Sequence, residues 1–345
     1  MKQTTPFPTG HSELIHDVEY DFYGKQLATC SSDQHIKVFD LDPTTQEWIL
    51  NDSWKAHDSS IVKIAFASPQ FGHILVSVSY DRTLKVWEEN FDEQVGSQRR
   101  WKKLATISDS RYPLYDVAFA PSHLGLRIGT IGSDGILRIY DALEPSDLRN
   151  WTMTAELQMS QAPSDQNVPS DFCLTWCPSR FSSEKILVTV SKAAYILSRD
   201  KNDRYIPTLE LPDHGGLIRS VAWAPSMGRS YQLVATGCQD GVLRVFKLVE
   251  NSRKANAITL DDINDNSADG INSQDESLSN LTIQSISTYE DHQIDGKPQE
   301  IWKVSWNLTG TILSSAGQDG KIRLWKSAYN ENFQCMSVIN AESSQ

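Results

Sequence analysis

The sequence predicts an all-β fold, an open six-bladed β-propeller of four-stranded antiparallel blades, and three observations carry that expectation. The first is a register. In SSAGQDGKIRLWK, residues 314–326, aliphatic side chains stand three and five places after Asp319 (Ile322, Leu324), a base at four (Arg323) and an aromatic at six (Trp325). The same pattern follows Asp33, Asp81, Asp134 and Asp240. Aspartate does not continue a buried strand cheaply, and Asp-Gly tolerates the positive φ of a tight hairpin. The second is spacing: these aspartates lie 48, 53, 106 and 79 residues apart, so a degenerate unit sits in the 106-residue gap and an insertion in the 79-residue one. The third is that a lone four-stranded sheet with two apolar faces is unstable until neighbours cover both, which radial stacking achieves with only short edges left over. A pair of β-sandwiches is the other arrangement for six such units. It does not account for a uniform register ending in an aromatic.

Taken in order, residues 1–9 form an N-terminal tail and the blades span approximately residues 10–54, 55–108, 109–160, 161–212, 213–290 and 291–345. Blade one holds IHDVEYDFYGKQLATCSSDQHIKVFDL, with a short turn at Tyr20–Gly24. Blade two follows Ala56-His57. In blade three, DALEPSDLRNW is too polar for a strand and reads as an elaborated loop, with the fourth strand at residues 151–159. Blade four keeps FCLTWCPS and KILVTVS, but AAYILSRD has no turn aspartate. Blade five is regular to Phe246. Residues 251–280 are rich in Asn, Asp and Ser and read as a disordered insertion before a strand at residues 281–289. FQCMSVI closes blade six as a strand of its own.

Ten tryptophans suit a β-rich core, and a net charge of −12 argues against a nucleic-acid or anionic-membrane surface, which needs clustered Lys and Arg. Five cysteines without framework spacing suggest a reducing compartment. Cys173 and Cys177 could be half of a metal site, but no second pair or histidine follows, and they read as small buried residues. No metal or cofactor is expected. MKQTTPFPTG lacks the apolar segment of a secretory signal, and no run of eighteen apolar residues exists to span a membrane.

One constellation imitates an active site. His11, His57 and His214 each stand seven residues before an apolar strand position (Val18, Ile64, Val221). A hydroxyl lies four residues before each turn aspartate (Thr29, Ser77, Thr130, Thr236, Ser315). His57, Ser77 and Asp81 could act as a serine hydrolase triad. Repetition favours architecture, since a repeated triad would mean several identical active sites. With Trp87, the set resembles the Asp-His-Ser/Thr-Trp tetrad of the WD-repeat family. Ser110 replaces the histidine in blade three, and His292 is twelve residues from Val304 in blade six. The bases at the fourth position (Lys37, Lys85, Arg138, Arg244, Arg323) should form a ring that pairs locally with carboxylates or reaches solvent. Phosphopeptide binding is the alternative.

The ring has no evident latch. Nine residues, two of them proline, precede Gly10, and the last blade finishes itself. Blades one and six should therefore expose apolar flanks near Leu14, Ile15, Val18 and Phe22 on one side and near Ile301, Val304 and Leu313 on the other. A partner would cover them by β-augmentation.

Beyond the repeats, YDFYG, TCSSDQHIKVF, AHDSSIV, DALEPSDLR, DFCLTWCPSRF and SWNLTGTILSSAGQDGKIRLWK resemble the Sec-thirteen-homologue nucleoporins along nearly the whole chain. That resemblance implies a non-enzymatic scaffold subunit of the Y-shaped nuclear pore complex. Its propeller is completed by a blade from an α-helical-solenoid nucleoporin, in support of pore assembly, nucleocytoplasmic transport and messenger RNA export. It also implies a place in a vacuole-associated complex regulating TOR signalling. The vesicle-coat Sec-thirteen propeller shares some of these segments and is expected to lack DALEPSDLR and the CPSRF block.

Overall fold

The structure, a computed structural model, describes residues 7–144, 147–159, 171–180, 183–200, 202–251, 280–290, 293–294, 297–328 and 332–340. Six four-stranded antiparallel sheets follow one another, each with its strands in chain order. Blade one comprises β1 (Ile15–Tyr20), β2 (Gln26–Ser31), β3 (His35–Leu41) and β4 (Trp48–Lys55). Blade two comprises β5 (Ile61–Phe66), β6 (Ile74–Ser79), β7 (Leu84–Glu89) and β8 (Trp101–Ile107). Blade three comprises β9 (Leu114–Phe119), β10 (Arg127–Gly132), β11 (Ile136–Glu144) and β12 (Asp147–Gln158). Blade four has β13 (Phe172–Trp176), β14 (Lys185–Val190), β15 (Ala193–Arg199) and β16 (Tyr205–Leu211). Blade five has β17 (Ile218–Trp223), β18 (Tyr231–Cys238), β19 (Leu243–Asn251) and β20 (Asn280–Tyr289). A minimal hairpin, β21 (Gln293–Ile294) with β22 (Lys297–Pro298), leads into blade six: β23 (Ile301–Trp306), β24 (Ile312–Gly317), β25 (Lys321–Ser327) and β26 (Phe333–Asn340). The first strand of each blade lines a central channel and packs on the first strand of the next, from β1 through β5, β9, β13 and β17 to β23.

The turn register holds because each aspartate carboxylate accepts from the backbone N–H two residues on, as at His35, Thr83, Ile136, Val242 and Lys321. The residue in between sits at positive φ in all five turns, including Gln34 and Arg82, where the sequence lacks glycine. Blade four solves the turn differently. Without an aspartate, Val190 pairs directly with Ala193 and only Ser191 and Lys192 make the connection, Ser191 at φ +54°.

One expectation changes, and a second holds for Cys177, which is buried, while Cys173 is half-buried. DALEPSDLRNW is no elaborated loop: β11 and β12 run into it, pairing Ala142 with Trp151 and Glu144 with Asp147. One apolar face is enough to seat such a ribbon, and Ala142, Leu148 and Trp151 provide it by packing on the core between blades two and three. Cys173 and Cys177 point to different places. The first lines the channel and its thiol meets Arg219 O, while the second is buried between blades four and five beside Gln232. Residues 252–279 of the insertion, and His292, lie outside the described residues.

Five apolar clusters hold the described residues, one at each junction from blades one–two to blades five–six. The junctions are tight. Gly310, at φ +63°, sits where a Cβ would run into the Pro225 carbonyl oxygen and the Arg229 guanidinium of blade five. Gly320, at φ +68°, has open space around it. Gly310→Ala is therefore expected to cost roughly 2–4 kcal/mol and Gly320→Ala about 1 kcal/mol, read from denaturant midpoints. Equal losses would contradict the close approach.

Candidate functional site at the open seam

The tetrad is assembled as a relay. Trp87 Nε1 donates to Ser77 Oγ at 2.9 Å; Ser77 Oγ and His57 Nε2 are 2.8 Å apart, as are His57 Nδ1 and Asp81 Oδ2. One assignment of protons satisfies every group: the Ser77 hydroxyl donates to Nε2, and Nδ1–H donates to Asp81. Burial holds the His57 imidazole below its ordinary pKa, which keeps this neutral form. Burial pushes the Asp81 carboxyl up, but hydrogen bonds from His57 and Thr83 outweigh it and hold the group well below the carboxylate range. The spacing is that of a hydrolytic triad. Its setting is not, because Ser77 is 0% exposed and its oxygen is occupied by the indole N–H.

The basic ring is engaged locally, and its chemistry depends on the histidine. Where His11 and His57 bond their aspartates, the base is lysine and reaches a carbonyl: Lys37 that of Gly10, Lys85 that of Ala56. In blades three, five and six the base is arginine and pairs with its own turn aspartate at 2.7–2.8 Å (Arg138–Asp134, Arg244–Asp240, Arg323–Asp319). In blade five this competition is visible, since His214 bonds Thr236 at 3.1 Å while Arg244 holds Asp240. Burial, with Arg244 adding to it, lowers His214 to about 4.

Around the channel, the residue three places before the end of each first strand links one blade to a neighbour. Lys63 pairs with Asp17, Asp116 accepts from Leu174 N, Cys173 donates to Arg219 O, and Ser220 accepts from Val304 N. The last link crosses from blade six to blade one: Lys303 Nζ is 2.6 Å from Asp17 Oδ1 and 3.2 Å from Val18 O. Burial raises the Asp17 carboxyl, but Lys63 and Lys303 outweigh it, leaving it below its ordinary value.

No apolar cluster accompanies this link among the described residues, so the propeller is open between blades six and one. On the blade-one side Leu14 is 76% exposed, Ile15 40%, Val18 38% and Phe22 65%. Asp21 accepts from Tyr23 N, Lys25 N and Gln26 N, and the turn it holds projects Phe22 outward. The blade-six expectation is corrected. Ile301, Val304 and Leu313 are fully or almost fully buried and pack on blade five. They lie on the same face as Ser315 and Trp325, and alternation turns the opposite set toward the seam: Ala316, Ile322, Leu324 and Ile339, paired across β24, β25 and β26. Ile322 and Ile339 are both 41% exposed. A second correction concerns the mode of docking. Both flanking blades already have four strands, so the seam offers two sheet faces and not a strand edge. A sheet packed face to face would cover both, which a strand added by β-augmentation would not.

Asp81→Ala is expected to lower stability by about 1–3 kcal/mol, seen as a reduced Tm, because it leaves His57 Nδ1 without its acceptor. Arg244→Lys should free Asp240 for His214 and raise the imidazole pKa from about 4, measured by NMR titration. A histidine depressed below 6.5 withdraws stability as pH falls from 6.5 through its folded value. The lysine variant should therefore lose less stability in acid than the parent. An unchanged titration would sink the competition argument.

The WD domain, G-beta repeat family matches residues 2–40, 48–88, 205–247 and 283–326. Nucleoporin SEH1 of Saccharomyces cerevisiae is 53% identical, over 98% of this chain and 99% of its own length. Nucleoporin seh1 of Schizosaccharomyces pombe is 36% identical over 98% and 96%. Nucleoporin SEH1 of Danio rerio is 34% identical over 97% and 86%.

Proposed function

Since the chain belongs to the SEH1 family of WD-repeat nucleoporins, we propose that it is a non-enzymatic scaffold subunit of the Y-shaped nuclear pore complex, completed by a blade from an α-helical-solenoid nucleoporin. The observation that carries the reading is the seam: two sheet faces with exposed apolar side chains meet there without a shared core among the described residues, and Lys303 bridges them to Asp17 and Val18 O. In this role the chain sits at the nuclear envelope and contributes to pore assembly, nucleocytoplasmic transport and messenger RNA export. The same family resemblance extends the proposal to peripheral membership of the vacuole-associated complex that regulates TOR signalling. Identity across the whole chain favours the nucleoporin over the vesicle-coat propeller. A hydrolase reading has little support, because Ser77 is sealed beneath Trp87.

The test is co-elution of the purified chain with a recombinant helical-solenoid nucleoporin, followed by affinity measurement. Val18→Asp and Ile322→Asp each place an uncompensated charge on a seam face and should weaken the complex about a hundredfold while leaving the circular dichroism spectrum unchanged. Wild-type affinity in both variants would remove the seam as the binding surface.

A further inference from the structure

Three blades share a slot built from the same four places. In blade two, Trp54 lies 5.5 Å from Trp87 and stacks at 5.7 Å on Trp101, which Phe66 also meets at 6.3 Å. In blade six, Tyr289 lies 5.1 Å from Trp325 and 6.5 Å from Phe333, with Trp306 5.6 Å from Phe333. The walls correspond: the sixth residue of the first strand, the aromatic six places after the turn aspartate, and the first residue of the fourth strand. In both blades the inserted ring belongs to the outermost strand of the preceding blade, Trp54 to β4 and Tyr289 to β20.

Blade one has the same walls in Tyr20, Phe39 and Trp48, and no blade precedes it among the described residues. Its slot is nonetheless filled. Phe7 lies 5.3 Å from Phe39 and 6.4 Å from Trp48, and Tyr20 is 5.8 Å from Trp48. The backbone behind it is fixed as in blade two, because Lys37 reaches Thr9 O and Gly10 O just as Lys85 reaches Ala56 O. The filling is incomplete. Tyr20 is 55% exposed and Trp48 half-buried, whereas Trp101 is 3% exposed.

We infer that residues 7–10 stand in for the end of the missing blade's outermost strand, so that the completed seventh blade is composite, with Phe7 kept in place as part of the docking surface. The inference rests on the reading that a solenoid nucleoporin fills the seam. It names the chemistry required there: the incoming sheet leaves the outer corner to Phe7 and brings an apolar side chain over the bared edges of Tyr20 and Trp48. A segment that merely shields the face would instead be displaced on binding.

The experiment replaces Phe7 with photoreactive p-benzoylphenylalanine in the full chain and irradiates it alone and after assembly with a recombinant helical-solenoid nucleoporin. The free chain should cross-link internally at Phe39 or Trp48, and the assembled chain to the partner. Phe7→Ala should weaken assembly about tenfold. A complex that forms while the cross-links stay wholly internal, or an unchanged affinity of Phe7→Ala, would overturn the composite blade and leave the seam reading standing. Failure of the unsubstituted chain to assemble would overturn both.

Discussion

Each sheet in this chain is apolar on both faces and therefore borrows its stability from its neighbours. Burial at about 25 cal/mol per Å² is the main favourable contribution, and a four-stranded sheet alone captures too little of it to offset the ordering of its backbone. Five junctions supply that burial. The polar machinery is subordinate to it. The turn aspartates fix the turn of every blade but the fourth, so that Leu84 and Val86, or Leu243 and Val245, face a neighbour in register.

The substitution of arginine for lysine at the fourth position shows how such a network tolerates change. A turn carboxylate buried at a blade's edge needs a donor, and either an imidazole or a guanidinium can serve. The planar fork of arginine reaches back four residues to Asp134, Asp240 and Asp319, whereas lysine at Lys37 and Lys85 settles on a carbonyl. Blade five carries both candidates, and the permanently charged one takes the aspartate.

How much was legible depended on whether the signal was local. The turn aspartates, the strand that follows each and the aromatic within it are encoded within ten residues, and each of the five turns leads into such a strand, which runs two to five residues past the aromatic. The orientation of Ile301, Val304 and Leu313 was not readable. Both faces of a blade are apolar, so period-two alternation separates two sets of residues without saying which set meets blade five. Phe7 was hidden for a different reason. Two prolines flank it and no strand contains it, so only the later correspondence with Trp54 and Tyr289 gives it meaning. DALEPSDLRNW misled because its apolar face rests on Ala142, Leu148 and Trp151 alone.

Six blades with five cores among the described residues have a thermodynamic consequence. On the proposed reading, a partner bound at the open seam would add RT ln(1 + [L]/Kd) to the folded state, about 2.7 kcal/mol at a hundredfold excess over Kd. Molecules made in surplus over their filler lack that increment, keep Leu14 and Phe22 in water, and populate opened states more often. On the proposed reading the seam would convert subunit balance into lifetime: chains that find their complement would persist, and orphans would be the ones that a cell's quality control meets unfolded.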